Sequence, residues 1–178
     1  LVPLGCGQRE LVIGDRKTGK TSFLLQSVLN QAKKGMICIW AVIGKKESEI
    51  KQIAEYFSKQ GVIDQMIIVA ASAQDPTGLI YLAPHTAITI AEYFRDLGKS
   101  SLVVLDDLTI HARFYRQLAL LSRRFPGRDS YPVDIFFTHA SILEKGGNFR
   151  GSKGEVSITI LPVAETSQGD LSGYIQTN

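Results

Sequence analysis

Short apolar runs alternate along this chain with longer stretches in which apolar residues recur at helical spacing. The runs are rich in Val, Ile and Leu, and they predict buried strands at residues 11–13, 37–43, 66–71, 102–105 and 156–161. The stretches between them predict helices at about residues 23–32, 48–60, 84–97, 109–124 and 135–143. This alternation predicts an α/β fold with a mostly parallel sheet, flanking helices and right-handed crossovers.

Local residue preferences refine the boundaries of these elements. Ser48 is expected to cap the second helix, and Pro84 to stand near the start of the third. Four glycines between residues 146 and 154 predict a polar loop before the last strand. Because no repeat or linker interrupts the pattern, residues 1–178 are expected to form one domain. The chain begins without Met and ends on Thr177-Asn178 without a terminating element, so we expect a fragment of a longer subunit.

Composition narrows the class of protein without indicating a partner. Hydrophobic residues at 44% and charged residues at 21% exclude disordered and fibrous classes. The 20 Lys and Arg against 17 Asp and Glu give a net charge of +3, which is too small to argue for a nucleic-acid or membrane surface. Cys6 and Cys38 lack zinc or redox spacing and are interpreted as reduced thiols. No apolar run reaches the roughly 20 residues of a membrane span.

A phosphate-binding motif stands between the first predicted strand and the first predicted helix. Gly14-x-x-x-x-Gly19-Lys20-Thr21 is a complete P-loop pattern in the context that it requires. Glycines allow the backbone amides to approach phosphate closely, and the following helix begins with the positive end of its dipole. Lys20 is expected to reach the β- and γ-phosphates, and the Thr21 hydroxyl to bind magnesium.

A pair of carboxylates ends the fourth predicted strand. Parallel strands bring their carboxyl ends to one edge of the sheet, so a carboxylate there would lie beside the phosphate loop. Asp106 is our candidate magnesium ligand, and Asp107 is its competitor, since adjacent strand residues face opposite ways. In the alternative interpretation, both aspartates only cap the following helix.

The sequence resembles the α subunit of F-type ATP synthases over essentially its whole length. The Asp-Arg-x-Thr insert of its P-loop is similar to α subunits and unlike the loop of catalytic β subunits. Further α-like segments are Gly7–Glu10, Glu92–Asp96, Asp106–Leu108, Tyr115–Gln117, Arg123-Arg124, Pro126–Arg128, Leu161–Thr166 and Gly169-Asp170. The resemblance implies a RecA-like P-loop NTPase domain in a rotary complex that couples ATP synthesis or hydrolysis to proton or sodium transport.

The resemblance also implies the ligands and the residues that bind them. ATP or ADP with Mg²⁺ is the expected ligand, and Thr21 and Asp106 are the expected metal ligands. The residues expected to contact nucleotide are Gly14, Lys17, Thr18, Gly19, Lys20, Thr21, Ser22 and Lys45.

The same resemblance implies the surroundings of the domain. Partners would be the β subunits and the central shaft subunit of a hetero-hexameric ring, with residues 126–134 forming part of the sleeve around the shaft. The complex would lie peripherally on the cytoplasmic face of a bacterial inner membrane, or at its organellar equivalent. A β-barrel domain would precede Leu1, while the arginine that acts on a neighbouring site, the adenine-contacting segments and a helical domain would follow Asn178.

The residue after Ile43-Gly44 bears on catalysis. Hydrolysis requires a carboxylate that orients the attacking water, and catalytic β relatives carry Glu at this position. Here Lys45 replaces both that Glu and the Gln usual in α subunits. It is interpreted either as an added donor near the γ-phosphate or as a solvated loop residue, with Glu47 as a less favoured base. We therefore expect a regulatory, structural subunit that does not itself hydrolyse ATP.

The alternative function is a catalytic homohexameric P-loop ATPase of the secretion or RNA-helicase type. An arginine-rich stretch with interleaved aromatic residues, 113–128, invites the helicase comparison. Its helical spacing favours an interface or a solvated face, so no nucleic-acid binding is expected.

Two weaker patterns complete the sequence-based expectations. His85, His111 and His139 are far apart in sequence and are interpreted as ordinary surface or core residues without a metal. The chain alone is expected to be mostly monomeric, with an open sheet edge near Val156–Leu161.

Overall fold

The computed structural model describes residues 3–151 and 154–177, which form a sheet flanked by helices. The strands are β1 (Val12–Gly14), β2 (Ile37–Lys45), β3 (Met66–Ser72), β4 (Ser101–Asp106), β5 (Gly147–Gly151) and β6 (Gly154–Glu165). The helices are α1 (Lys20–Ala32), α2 (Glu47–Lys59), α3 (Thr77–Asp96), α4 (Leu108–Leu121) and α5 (Ile135–Leu143), with short 3₁₀ turns at Ile63–Gln65 and Arg128–Ser130. None of these helices combines the length and apolar character needed to cross a bilayer.

Five strands form a parallel sheet in the order β1-β6-β4-β2-β3, and β5 pairs with β6 in the antiparallel direction. This arrangement confirms the predicted mostly parallel α/β fold. Val42 of β2 lies opposite Asp106 of β4, and Gly14 of β1 lies opposite Glu165 of β6. The carboxyl ends of these four strands therefore meet at one edge of the sheet.

Each face of the sheet has its own apolar core, because successive strand residues point to opposite sides. On β2, Ile39, Ala41 and Ile43 pack into the core that includes the buried face of α3. Cys38, Trp40 and Val42 pack into the other core, which α1 and α2 cover. A strand buried on both faces explains the uninterrupted apolar run that predicted it.

The helix boundaries differ from the sequence prediction in two places. Ser48 is not the cap of α2, since the helix begins at Glu47 after an extended Lys46, and Ser48 lies within its first turn. Pro84 is buried inside α3, which begins already at Thr77. Because α3 buries Ile80, Ala83 and Ala87 against the sheet, its packing outweighs the hydrogen bond that proline removes.

The predicted polar loop at 146–154 is also wrong, because most of it forms a β-hairpin. Residues 147–151 pair with residues 154–158 in an antiparallel ladder. The segment Val156–Leu161 is consequently not an open edge: β4 pairs with it on one side, and β5 together with Arg9 pairs on the other. Glycines weaken the strand pattern in the sequence, so the hairpin was not predicted.

Candidate functional site

The P-loop connects β1 to α1 at the carboxyl edge of the sheet. Gly19 is the N-cap of α1 with φ of 94°, and no side chain caps the helix. The free N-H groups of the first helical turn are therefore available to a ligand. Lys17 also has a positive φ of 63°, so the loop curls tightly before the helix begins.

Lys20 lies within the curl of this loop. Its ammonium donates to the carbonyl oxygens of Gly14 at 2.7 Å and Asp15 at 2.6 Å. Thr18 Oγ1 also donates to the Asp15 carbonyl, at 2.8 Å. Thr21 and Ser22 follow Lys20 on the exposed first turn of α1. Hydrogen bonds thus link Gly14, Asp15 and Thr18 to Lys20, either directly or through the Asp15 carbonyl.

The Asp15 carboxylate ties the loop to the end of β6, a contact that sequence reasoning did not assign. Its oxygens accept from the Thr166 hydroxyl and from the Gly169 N-H, the latter at 3.0 Å. These bonds, first the one from Thr166, lower the pKa of Asp15 below its ordinary value. Both partners belong to segments that carry the resemblance, which is the signal that could have indicated them.

Asp106 ends β4 as a buried carboxylate beside a lysine. Lys45 Nζ lies 2.6 Å from Asp106 Oδ1, and the two side chains are only 12% and 3% exposed. Asp106 Oδ2 is buried and has no hydrogen-bond partner within the described residues. One oxygen of the carboxylate therefore has a cation, and the other has an unused acceptor site.

Asp107 has a different role from its neighbour. Its carboxylate accepts from the N-H of Ile110 at 2.6 Å and caps α4. Burial raises the pKa of Asp107 to about 7; the bond from Ile110 opposes this, the charge of Asp106 adds to it, and Lys45 again opposes it. The capping interpretation thus describes Asp107, which leaves Asp106 as the candidate metal ligand.

Lys45 is a buried partner of Asp106 rather than a solvated loop residue, so that alternative interpretation is wrong. Its charge rules out the role of a general base while it is protonated. Glu47, the weaker candidate for a base, is exposed and is the first residue of α2.

The donors at this edge fit a magnesium-bound nucleotide. Free helix N-H groups and the Lys20 ammonium suit phosphate oxygens. The unpartnered Asp106 Oδ2 and the exposed Thr21 hydroxyl are oxygen ligands of the kind that Mg²⁺ prefers.

One cavity lies apart from this edge of the sheet. It has a volume of about 590 Å³ and is lined mainly by apolar residues, including Leu11, Phe23, Met36 and Leu102. Met36 precedes β2 and Leu102 stands near the start of β4, so the cavity adjoins the amino ends of these strands. The P-loop residues and Asp106 lie at the carboxyl ends.

The three histidines, although distant in sequence, are brought together by α3, α4 and α5. His111 Nδ1 lies 3.0 Å from His139 Nε2, and the His85 ring lies 6.3 Å from that of His111. His111 and His139 are therefore hydrogen-bonded core residues, one of the two kinds of position expected for them, although their proximity was not predicted. Within the described residues, no group of three side chains is arranged to hold a metal.

Several arginines of residues 113–128 are held by the protein itself. Arg116 bonds the Asp129 carbonyl and stacks on Tyr131, and Arg124 lies 3.3 Å from Asp134. These contacts connect α4 to the loop that follows it.

A comparison with known protein families shows which family this domain belongs to. The family model described as the ATP synthase alpha/beta family, nucleotide-binding domain, matches residues 1–178. That family binds nucleotide and assembles as a hexameric ring. With its P-loop, parallel sheet and carboxyl-edge aspartate, the chain belongs to the ATP synthase alpha/beta family as a nucleotide-binding domain of a rotary ATPase-type subunit.

Proposed function

We propose that this chain is the central domain of a non-catalytic α-type subunit, which binds ATP or ADP without hydrolysing it. The observation that carries the proposal is Lys45 at the end of β2, where catalysis would need a carboxylate. Its ammonium binds Asp106, so it cannot accept a proton from water while that ion pair persists. The P-loop nevertheless has every group that phosphate binding requires.

In this proposal, residues of the P-loop and residues at the ends of β2 and β4 bind different parts of the nucleotide. Gly14 and Gly19 shape the loop, and the N-H groups of residues 17–22 surround the β-phosphate. Lys20 exchanges its two carbonyl acceptors for phosphate oxygens, which are stronger partners because they are charged. The hydroxyls of Thr18 and Ser22 contribute to the same region, and Lys45 donates toward the γ-phosphate. Thr21 and Asp106 would hold Mg²⁺, which supplies charge neutralisation when bound.

The domain would act through its neighbours in a ring. We propose catalytic β subunits and a central shaft subunit as partners, with residues 126–134 against the shaft. The arginines that fix this loop support the proposal, because an interface loop must keep its shape. The resulting complex would be peripheral to a proton- or sodium-transporting membrane.

Calorimetric titration of ADP into the chain, with Mg²⁺ present, tests the binding site. We expect micromolar or weaker affinity, and Lys20→Ala should weaken it by at least about tenfold because a charged phosphate contact is lost. Lys33→Ala is the control, since Lys33 is exposed beyond the last turn of the same helix. Equal affinity of the wild type and Lys20→Ala would contradict the assignment of the loop.

A steady-state ATPase assay separates this function from that of a catalytic homohexamer. We expect no turnover above background, with or without Glu47→Gln. Turnover of about one per second, at the low end of ordinary enzyme rates, would contradict the non-catalytic role, and its loss in Glu47→Gln would identify Glu47 as the base.

A further inference from the structure

The Lys45–Asp106 ion pair is buried at the place where the nucleotide's metal would be held. The distance of 2.6 Å and the low exposure of both side chains describe a close ion pair that is largely shielded from water. Removing one partner from such a pair is costly, because the other charge stays buried without compensation. Asp106 therefore has its counter-ion before any ligand binds.

The backbone at the end of β2 directs Lys45 to this position. The pairing register between β2 and β3 shifts at this point: Ile43 pairs with Ala71, and Lys45 pairs with Ser72. The extra residue, Gly44, has φ of 61°. A bulge of this kind changes the direction of the next side chain. Lys45 is thus held by the fold and not only by its charge.

The surrounding charges leave Lys45 as the partner of Asp106. Asp107 and Glu165 are both acidic, and both add to the negative potential at this edge of the sheet. Arg16 contacts Glu165 at 3.6 Å from an exposed position. The buried ammonium of Lys45 is the group that contacts the Asp106 carboxylate directly.

An ammonium and a hydrated magnesium ion can perform the same electrostatic task here. Each can neutralise Asp106 and donate hydrogen bonds to a phosphate oxygen, since an ammonium has three donors. A cation that already occupies Asp106 Oδ1 reduces the electrostatic gain from adding Mg²⁺ beside it.

We propose that Lys45 is a specificity-determining residue that makes nucleotide binding by this chain nearly independent of Mg²⁺. The ammonium, held by Asp106, links this carboxylate to the phosphates, and Mg²⁺ at Asp106 Oδ2 and Thr21 adds little affinity. This inference rests on the proposed function, because it concerns the same site.

The test is the dissociation constant of ADP, measured by calorimetry with excess Mg²⁺ and again with excess EDTA. For the wild type the two constants should agree within about threefold, which corresponds to under about 1 kcal/mol. Lys45→Gln should increase the EDTA-to-Mg²⁺ ratio by at least about tenfold, because Asp106 then needs the metal as its cation. Lys46→Gln removes an exposed neighbouring charge and should keep the wild-type ratio. Lys45→Gln/Asp106→Asn should return the ratio toward the wild-type value.

A second measurement needs no nucleotide. Mn²⁺ binding, followed by electron paramagnetic resonance, should be at least about tenfold tighter in Lys45→Gln than in the wild type, and this gain should be lost in the double variant. If the wild type binds no ADP in either buffer, the proposed function fails, while the Mn²⁺ comparison still decides the role of Lys45.

Three results would overturn the inference. The first is a wild-type ratio of tenfold or more. The second is an unchanged ratio in folded Lys45→Gln, with folding checked by circular dichroism. The third is equal Mn²⁺ affinity in the wild type and Lys45→Gln. If Lys45→Gln does not fold, the wild-type ratio alone tests the proposal.

Discussion

His111 and His139 show how burial changes the protonation of a side chain. The carbonyl of Tyr81 can only accept, so His111 Nε2 must donate to it at 3.0 Å. When His111 is neutral, its Nδ1 therefore accepts the hydrogen bond from His139 Nε2. Burial lowers the pKa of His111 to about 4 and that of His139 to about 3, and the neighbouring histidines lower that of His139 further.

We expect this pair to make the domain sensitive to acid. The pKa of His139 in the folded protein lies below its ordinary 6.5, so the stability is present above pH 6.5 and is lost as the pH falls toward about 3. His139→Gln keeps an N-H donor for His111 but does not titrate. Between pH 7 and pH 5, its free energy of unfolding should fall by about 2 kcal/mol less than that of the wild type, at about 1.4 kcal/mol per pH unit below 6.5.

Urea denaturation at a series of pH values measures this difference. Between pH 7 and pH 8 the two proteins should show parallel curves, which serves as the internal control. Asp107, with its raised pKa of about 7, contributes an opposite slope, but it is common to both proteins and cancels in the comparison. Parallel curves down to pH 5 would show that the histidines are not buried as neutral rings.

At the scale of elements, the sequence predicted those strands and helices whose pattern follows from burial. The central residues of β2 and β4 are apolar because both faces of these strands are covered, and the P-loop motif indicates its own strand and helix. The β5–β6 hairpin and the full length of α3 were not predicted, because glycine disfavours a strand and proline disfavours a helix locally. Long-range strand pairing and packing determine these two elements instead. The Lys45–Asp106 contact was also not predictable, since it depends on a bulge and on which strands are neighbours.

The close packing of α4 against the end of β2 depends on Gly44. A Cβ at this position would lie 2.7 Å from Ile110 Cγ2 and 2.7 Å from Phe114 Cε2, and the backbone has φ of +61°. Gly44→Ala should therefore lower the free energy of unfolding by about 2–4 kcal/mol, which combines overpacking with left-handed strain.

Gly78→Ala is the matched control for this substitution. Gly78 lies in the first turn of α3, and a Cβ there would meet no atom within 4 Å. Its stability should stay within about 1 kcal/mol of the wild type, or rise, because alanine favours helix. Urea denaturation of both variants gives the comparison. Equal stabilities of Gly44→Ala and Gly78→Ala would mean that α4 can move away from β2 without cost.

At the scale of the whole molecule, the strands are not equally supported. β4 lies between β2 and β6, and β2 lies between β3 and β4. β1 has three residues and pairs only with β6 among the described strands. The P-loop therefore follows the least supported strand of the sheet. The contacts of Asp15 with Thr166 and Gly169 hold this loop in place.

Hydrogen exchange followed by mass spectrometry should reveal this difference in stability between the strands. Without nucleotide, the amides of Val12–Gly14 should exchange at least about tenfold faster than those of Ser101–Asp106, because β1 is short and only partly buried whereas β4 is fully buried between two strands. Saturating ADP should slow exchange in β1 and in the first turn of α1, since the ligand binds only the closed loop. Asp15→Asn weakens the contacts with Thr166 and Gly169, so it should speed exchange in β1 and leave β4 unchanged. Exchange in β1 that is as slow as in β4 without nucleotide would show that the loop is fixed before the ligand arrives.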